Sequence, residues 1–235
     1  MTRRRWIADE VSGDKASLLG RRAEHLSKVL RARPGQEFDI STSGRLRRGR
    51  IVAIDHNRVD FELGEEVPTA AMPDITLLLS VFKFDRMEWA IEKCTELGGA
   101  RIVPVIAQRT EKHLAVAAGK RWDRWQRVML QATEQSRRLT VPEMVRPLLL
   151  KQAVALYTGR RTVLSEIEQD VMLKDAAAGS HGVTLAFGPE GGWTEGELAQ
   201  FCEADWVSAS LGETILRTET AAIAGLAIAL AVLSG

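Results

Sequence analysis

The sequence predicts an α/β protein: a parallel sheet covered by helices on both faces, preceded by a small, mostly β module. Three observations predict it. From Asp74 onward, short continuous apolar runs alternate with segments of helical period, the pattern of buried parallel strands and their crossover helices. Before residue 68, short β-type runs are separated by Gly, Ser and Pro turn signals. Between the two, residues 68–73 read Pro-Thr-Ala-Ala-Met-Pro, a short stretch of small residues bounded by prolines. The expected organisation is a β module over residues 1–67, a linker over 68–73 and an α/β domain over 74–235.

In the first module a strand begins at Arg5-Trp6-Ile7, and residues 20–32 carry an amphipathic helix with Leu26, Val29 and Leu30 inward. Pro34-Gly35 turns the chain into a strand over 36–40, Ser41-Thr42-Ser43-Gly44 signals a hairpin, and 49–54 and 58–63 supply two more strands. Arg45, Arg47, Arg48 and Arg50 flank that hairpin. Such a run is either a solvated strand edge that discourages aggregation or a contact for a polyanion. Arg3, Arg4, Arg5, Arg31 and Arg33 in the same module favour the second reading.

The α/β domain opens with an apolar strand over 75–81. Asp85 is expected to cap a helix whose Met87, Ala90, Ile91, Cys94 and Leu97 share a face, with Gly98 as its stop. A strand over 101–106 follows, then a helix over 120–138 with Trp122, Trp125, Val128, Met129 and Ala132 inward. Residues 148–157 are expected to be helical, and 161–167, 182–187 and 206–211 to be strands. Residues 221–233 are apolar on every face, so as a helix they must be buried centrally or in an oligomer interface.

Composition narrows the class. The 235 residues are 45% hydrophobic with mixed charge, which describes a soluble globular protein. Cys94 and Cys202 lack the spacing of a zinc site or a disulfide framework and read as small buried hydrophobes, so no metal is expected. The longest apolar run is shorter than a membrane span needs, and a cytoplasmic location is expected. The net charge of +1 conceals alternating blocks: +7 over residues 1–50, −6 over 51–100, +7 over 101–151 and −7 over 152–235. Local basic faces on a nearly neutral chain suit a structured RNA site better than indiscriminate nucleic-acid binding.

Residues 187–192 read Phe-Gly-Pro-Glu-Gly-Gly, after a buried-type strand and before a helix opened by Thr194 and Glu197 as a capping box. With so little side-chain bulk, the backbone can approach a ligand directly. The strand after it also ends in a small, polar loop, Gly212-Glu213-Thr214. In open parallel sheets ligands bind at the carboxyl ends of strands, so the two loops describe one pocket. No dinucleotide or P-loop glycine pattern is present, and Glu190 disfavours phosphate, so a neutral or cationic adenosyl ligand suits the loop better.

Four blocks now carry a resemblance: Phe-Gly-Pro-Glu-Gly-Gly at 187–192, Leu-Gly-Glu-Thr-Ile-Leu-Arg-Thr-Glu-Thr-Ala at 211–221, Glu-Lys-Cys-Thr-Glu-Leu-Gly at 92–98 and Gln-Ala-Thr-Glu-Gln-Ser-Arg-Arg at 131–138. Together they resemble the RsmE family of SPOUT-class methyltransferases, and His25 to Arg31 resembles that family's PUA-like RNA-binding module. The resemblance implies S-adenosylmethionine as methyl donor, a deep trefoil knot in the carboxyl-terminal domain, a homodimer, and methylation of a uridine at N3 in 16S rRNA of the small ribosomal subunit. Carried over by motif, Phe187, Gly188, Glu190, Gly191 and Gly192 would frame the cofactor on one side. Leu211, Gly212, Ile215, Leu216 and Arg217 would frame it on the other, with Leu164, Ser165 and Glu166 closing the pocket.

Uridine N3 carries a proton that must leave before or during attack, so the reaction calls for a base or a cation that stabilises the anionic ring. Arg217 and Arg138, with Arg137 beside it, are the candidate cations and Glu134 the candidate base. Two other readings stay open: a SPOUT enzyme methylating a ribose 2′-hydroxyl, and a non-catalytic RNA-binding ribosome-assembly protein.

Overall fold

A computed structural model describes residues 5–42, 44–69, 72–157 and 159–234. It divides into two compact units, one of residues 1–71 with 133–141, the other of 72–132 with 142–235.

The first unit is a six-stranded sheet. Its strands are β1 (Arg5–Ile7), β2 (Glu10–Ser12), β3 (Lys15–Leu19), β4 (Glu37–Thr42), β5 (Arg45–Asp55) and β6 (Arg58–Glu66), in spatial order β1-β4-β5-β6-β3-β2. Among the described residues only the β1–β4 pairing of this sheet is parallel. Helix α1 (Gly20–Glu24) continues into a π-helical turn over His25–Val29. Leu18, Leu26, Ile40, Ile51, Val59 and Phe61 form the core. Two expectations need correction. Val29 faces solvent, because the wider π turn rotates it off the Leu26 face. The strand expected from Gly49 begins at Arg45, so the basic run is itself strand. Gly49 there marks a close approach: a Cβ would lie 2.4 Å from the Ile40 side chain.

The second unit is a parallel sheet. Its elements in chain order are β7 (Asp74–Ser80), α2 (Phe84–Leu97), β8 (Arg101–Ile106), α3 (Lys112–Gln135), β9 (Glu143–Met144), β10 (Leu148–Leu149), α4 (Leu150–Leu156), β11 (Arg161–Leu164), α5 (Leu173–Ala177), β12 (Gly182–Phe187), α6 (Glu195–Glu203), β13 (Val207–Ala209) and α7 (Thr218–Leu233). Spatial order is β10-β8-β7-β12-β11-β13, with β9 beside β8. The last turn of α3 belongs to the first unit.

Side chains alternate along β7. Ile75, Leu77 and Leu79 enter a core with α2, α3, α5 and α7, while Leu78 enters the opposite core with α4 and α6. Both faces are therefore covered, as the continuous apolar strands required. Gly98 ends α2 at φ 122°. Lys83, not Asp85, occupies the cap of α2, which places Asp85 inside the first turn where its charge suits the helix dipole. Leu97 and Cys202 lie at the surface, each on the outer side of a helix with one buried face.

Strands β11 and β13 are shorter than expected, because the chain leaves the sheet early to form loops; Ile167, expected in the strand, is exposed. The apolar α7 is not enclosed all round. Ala222, Gly225, Leu226 and Ala229 are buried, while Ala227 and Ala231 are open. Gly225 permits the seating of α7, since a Cβ would meet the Phe187 ring at 2.9 Å. Among the described residues no helix is long and apolar enough to cross a membrane, and no cluster of His, Cys, Asp or Glu could hold a metal.

Candidate active site

At the carboxyl ends of β11, β12 and β13 the loops enclose a cavity of about 320 Å³. Three stretches supply most of its wall: 164–167 at the end of β11, 187–189 with 192–193 at the end of β12, and 210–212 with 214–216 after β13. Strand β11 separates β12 from β13 in the sheet, yet their loops meet: the Thr218 hydroxyl donates to the Gly188 carbonyl at 3.1 Å. Short side chains make that approach possible.

Buried polar contacts fix the glycine loop. Trp193 Nε1 donates to the Leu164 carbonyl at 3.0 Å, and the Trp193 ring packs edge-on against Phe201. A Cβ on Gly188 would sit 3.3 Å from the Trp193 indole, so the indole and the bare backbone are fitted to each other. Gly192 holds φ 68°, and its amide closes a turn onto the Pro189 carbonyl at 2.8 Å. The capping box forms as the sequence predicted: the Glu197 amide donates to Thr194 Oγ1, and the Thr194 amide donates to Glu197 Oε2 at 2.9 Å. Buried Glu197 also accepts from the Gln108 amide at 2.7 Å, tying in the loop that follows β8.

Of the residues expected around a cofactor, Leu164, Ser165, Glu166, Phe187, Gly188, Gly192, Leu211, Gly212, Ile215 and Leu216 line the cavity. Three do not. The Glu190 carboxylate turns to Arg86, 3.0 Å away. The carbonyl of Gly191 accepts from Arg109 Nη1 at 2.7 Å, and a Cβ at Gly191 would touch only the flexible Arg109 stem. Arg217 is the exposed N-cap residue of α7.

Glu134 and Arg138 belong to the first unit. Burial raises the Glu134 carboxyl above its usual range, opposed by the Arg22 guanidinium at 3.3 Å. Burial lowers the Arg138 guanidinium. Arg5 Nη1 donates to the Arg137 carbonyl and the Ser41 hydroxyl to the Leu139 carbonyl, which holds the 133–141 segment on this unit.

Arg3 and Arg4 lie outside the described residues. Arg31 is exposed at φ 51°. On β5 each arginine meets a carboxylate: Arg45 with Glu66 at 3.8 Å, Arg47 with Asp14 at 2.8 Å, Arg48 with Glu37 at 3.9 Å and Arg50 with Glu62 at 3.0 Å.

Sequence reasoning missed Arg109, Trp193, Glu195 and Thr218 in the wall, and Arg86 behind it. The strand-end rule could have found Arg109, which follows β8, and Thr218, which follows the second loop. Arg86 had no local signal, being 104 residues from Glu190.

Residues 70–230 match the family model of an RNA methyltransferase domain, and residues 18–64 match that of an RNA methyltransferase PUA domain. Ribosomal RNA small subunit methyltransferase E of Synechocystis is 31% identical over 86% of this chain and 68% of its own length. The chain belongs to the RsmE family. The Aquifex aeolicus relative, 28% identical, aligns over 95% of this chain and 97% of its own. Among solved structures, RsmE of Neisseria gonorrhoeae bound to S-adenosyl methionine superposes with a TM-score of 0.83 at 32% identity, covering 97% of this chain and 96% of that one. The RsmE resemblance carried by the four motif blocks therefore holds, as does the expected pairing of a PUA-like module with a parallel α/β domain.

Proposed function

We propose that this chain is an S-adenosylmethionine-dependent methyltransferase that modifies N3 of a uridine in 16S rRNA of the small ribosomal subunit, acting in the cytoplasm as a homodimer. The observation that carries the reading is the cavity itself: three strand-end loops, the one after β12 rich in glycine, converge there in a chain of the RsmE family.

The residues present fit the donor. Leu164, Leu211, Ile215 and Leu216 offer apolar faces to a purine, and exposed backbone supplies donors and acceptors for its edge. Glu166 and Glu195 in the wall favour a cationic ligand over a phosphate. When bound, S-adenosylmethionine supplies a methyl group on a positively charged sulfur. The wall residues hold and orient that group, and positioning supplies much of the rate gain in a transfer of this kind.

The proposed handling of the N3 proton keeps Arg217 and Arg138 as the cations favouring an anionic uracil and Glu134 as the acceptor. Burial raises the Glu134 carboxyl, the direction a proton acceptor calls for. Arg5, Arg31, Arg45, Arg47, Arg48 and Arg50 are the proposed phosphate contacts, the exposed ion pairs of Arg45 and Arg50 being weak enough to yield to RNA. Since β11 lies between the strands whose loops meet, the arrangement supports the deep trefoil knot that membership implies. Ala227 and Ala231, left open on α7, support a second copy of the chain as the cover. Ala231→Arg should then shift the mass measured by light scattering to that of a monomer.

The deciding experiment supplies methyl-labelled S-adenosylmethionine and unmethylated small subunits, digests the rRNA and identifies the labelled nucleoside. N3-methyluridine is the expected product. A labelled ribose 2′-hydroxyl would replace the reading with the related chemistry, and unlabelled RNA despite bound cofactor would leave a binding protein.

A further inference from the structure

The cavity wall is fastened from behind by a residue that does not line it. Arg86, in the first turn of α2, reaches two acidic groups at once: Nη1 lies 3.0 Å from Glu190 Oε1 in the glycine loop, and Nε lies 3.8 Å from Glu219 Oε1 in the first turn of α7. Glu219 is 5% exposed, and its second oxygen is buried with no hydrogen-bond partner in the structure. A carboxylate so placed depends on Arg86 for its compensating charge. Immediately beside it, Thr218 bonds the Gly188 carbonyl, and both of those residues line the cavity. One guanidinium thus spans the two loops whose mutual placement makes the cavity, from a helix whose Met87, Ala90 and Ile91 are packed in the main core.

We propose that Arg86 is a positioning residue: it locks the loop after β12 to the start of α7, setting the spacing the methyl donor requires. The inference deepens the reading of the cavity as the S-adenosylmethionine site and rests on it. Arg86 acts through Glu190 and Glu219, so it governs donor affinity and leaves the methyl-transfer step itself nearly untouched. Lysine is too compact a charge to bridge both partners and restores only part of the effect.

The test measures S-adenosylmethionine binding by calorimetry and methylation by initial rates for wild type, Arg86→Gln, Arg86→Lys, Glu190→Gln and the Arg86→Gln/Glu190→Gln pair. Arg124→Gln serves as the control, because that guanidinium binds Glu88 of the same helix at 3.2 Å. Arg86→Gln should weaken donor binding by about tenfold or more and raise KM for the donor with kcat within about twofold. Arg86→Lys should recover part of that loss, Arg124→Gln should show none, and the double variant should be no worse than Arg86→Gln alone.

Hydrogen exchange at the Gly188 to Gly192 amides, measured without ligand, should quicken in Arg86→Gln. Should that variant fail to fold, Glu190→Gln, whose side chain is partly exposed, must still weaken binding by several-fold and quicken the same amides. Unchanged affinity, additive losses, or exchange as slow as in wild type would overturn the proposal. Absence of binding heat in the wild-type protein would instead overturn the cofactor reading, with the exchange measurement still deciding the role of Arg86.

Discussion

The glycine loops of the second unit and the arginine strand of the first are both conspicuous in the sequence, yet the fold treats them in opposite ways. Around the cavity, side chains are spent on holding the backbone still: Trp193, Arg109, Thr218 and Glu197 each bond a loop or its flank. On β5 every arginine has a carboxylate of its own unit within 4 Å. A run of like charge therefore says little about where free charge will be, whereas a run of glycines after a buried strand constrains geometry directly.

The contrast can be broken most sharply at Gly192. Valine there would need φ 68° and would press its Cβ to 3.0 Å from Glu166 Oε1. Gly192→Val should weaken S-adenosylmethionine binding about 100-fold, from roughly 2–3 kcal/mol of imposed distortion, as read by calorimetry. Binding within a few-fold of wild type would mean the loop is only a turn. Trp193→Phe keeps an aromatic ring but trims the indole and removes the donor to the Leu164 carbonyl, so it should cost at least about 1–3 kcal/mol in chemical denaturation.

On the other side of the comparison, Arg45→Gln with Arg50→Gln should leave stability within about 0.5 kcal/mol, as for other exposed pairs. If these arginines exchange their carboxylates for phosphates, RNA affinity should fall and the salt slope should drop by about 0.7 for each single-strand phosphate no longer neutralised. An unaltered slope would make β5 a self-neutralised edge.

The smallest effect is at Glu134. Its folded-state carboxyl is raised, first by burial, so the proton-bound form contributes stability that is fully present below the unfolded value. That contribution is lost as pH rises through the folded value, above the ordinary 4.5. In Glu134→Gln this step should vanish from a plot of stability against pH, with acid-side stability otherwise retained. A step of unchanged size would assign the titration to another group.

Much of this arrangement is legible in the sequence because it depends on local pattern. The apolar runs place β7, β8 and β12, and Thr194 with Glu197 places the start of α6. The loops can be found because strand ends in parallel sheets follow a rule. What stays hidden depends on contacts between distant segments. Nothing near Arg86 announces Glu190, and nothing near Glu134 announces that Arg22 will sit beside it. Gly49 misleads because a glycine inside a strand reads as a boundary until the Ile40 side chain filling its space is seen. In the same way, the apolar α7 predicts enclosure, while Ala227 and Ala231 on its outer side are exposed.

The segment 133–141 has a practical consequence. Because it belongs to the first unit while the chain on either side of it belongs to the second, the polypeptide passes between the units three times. No single protease nick can part the two halves. An amino-terminal fragment ending at residue 71 would lack the stretch that receives the Ser41 and Arg5 donors, and the remaining fragment would carry that stretch with nothing to rest on. Cutting the chain at residue 71 should therefore yield two poorly behaved fragments.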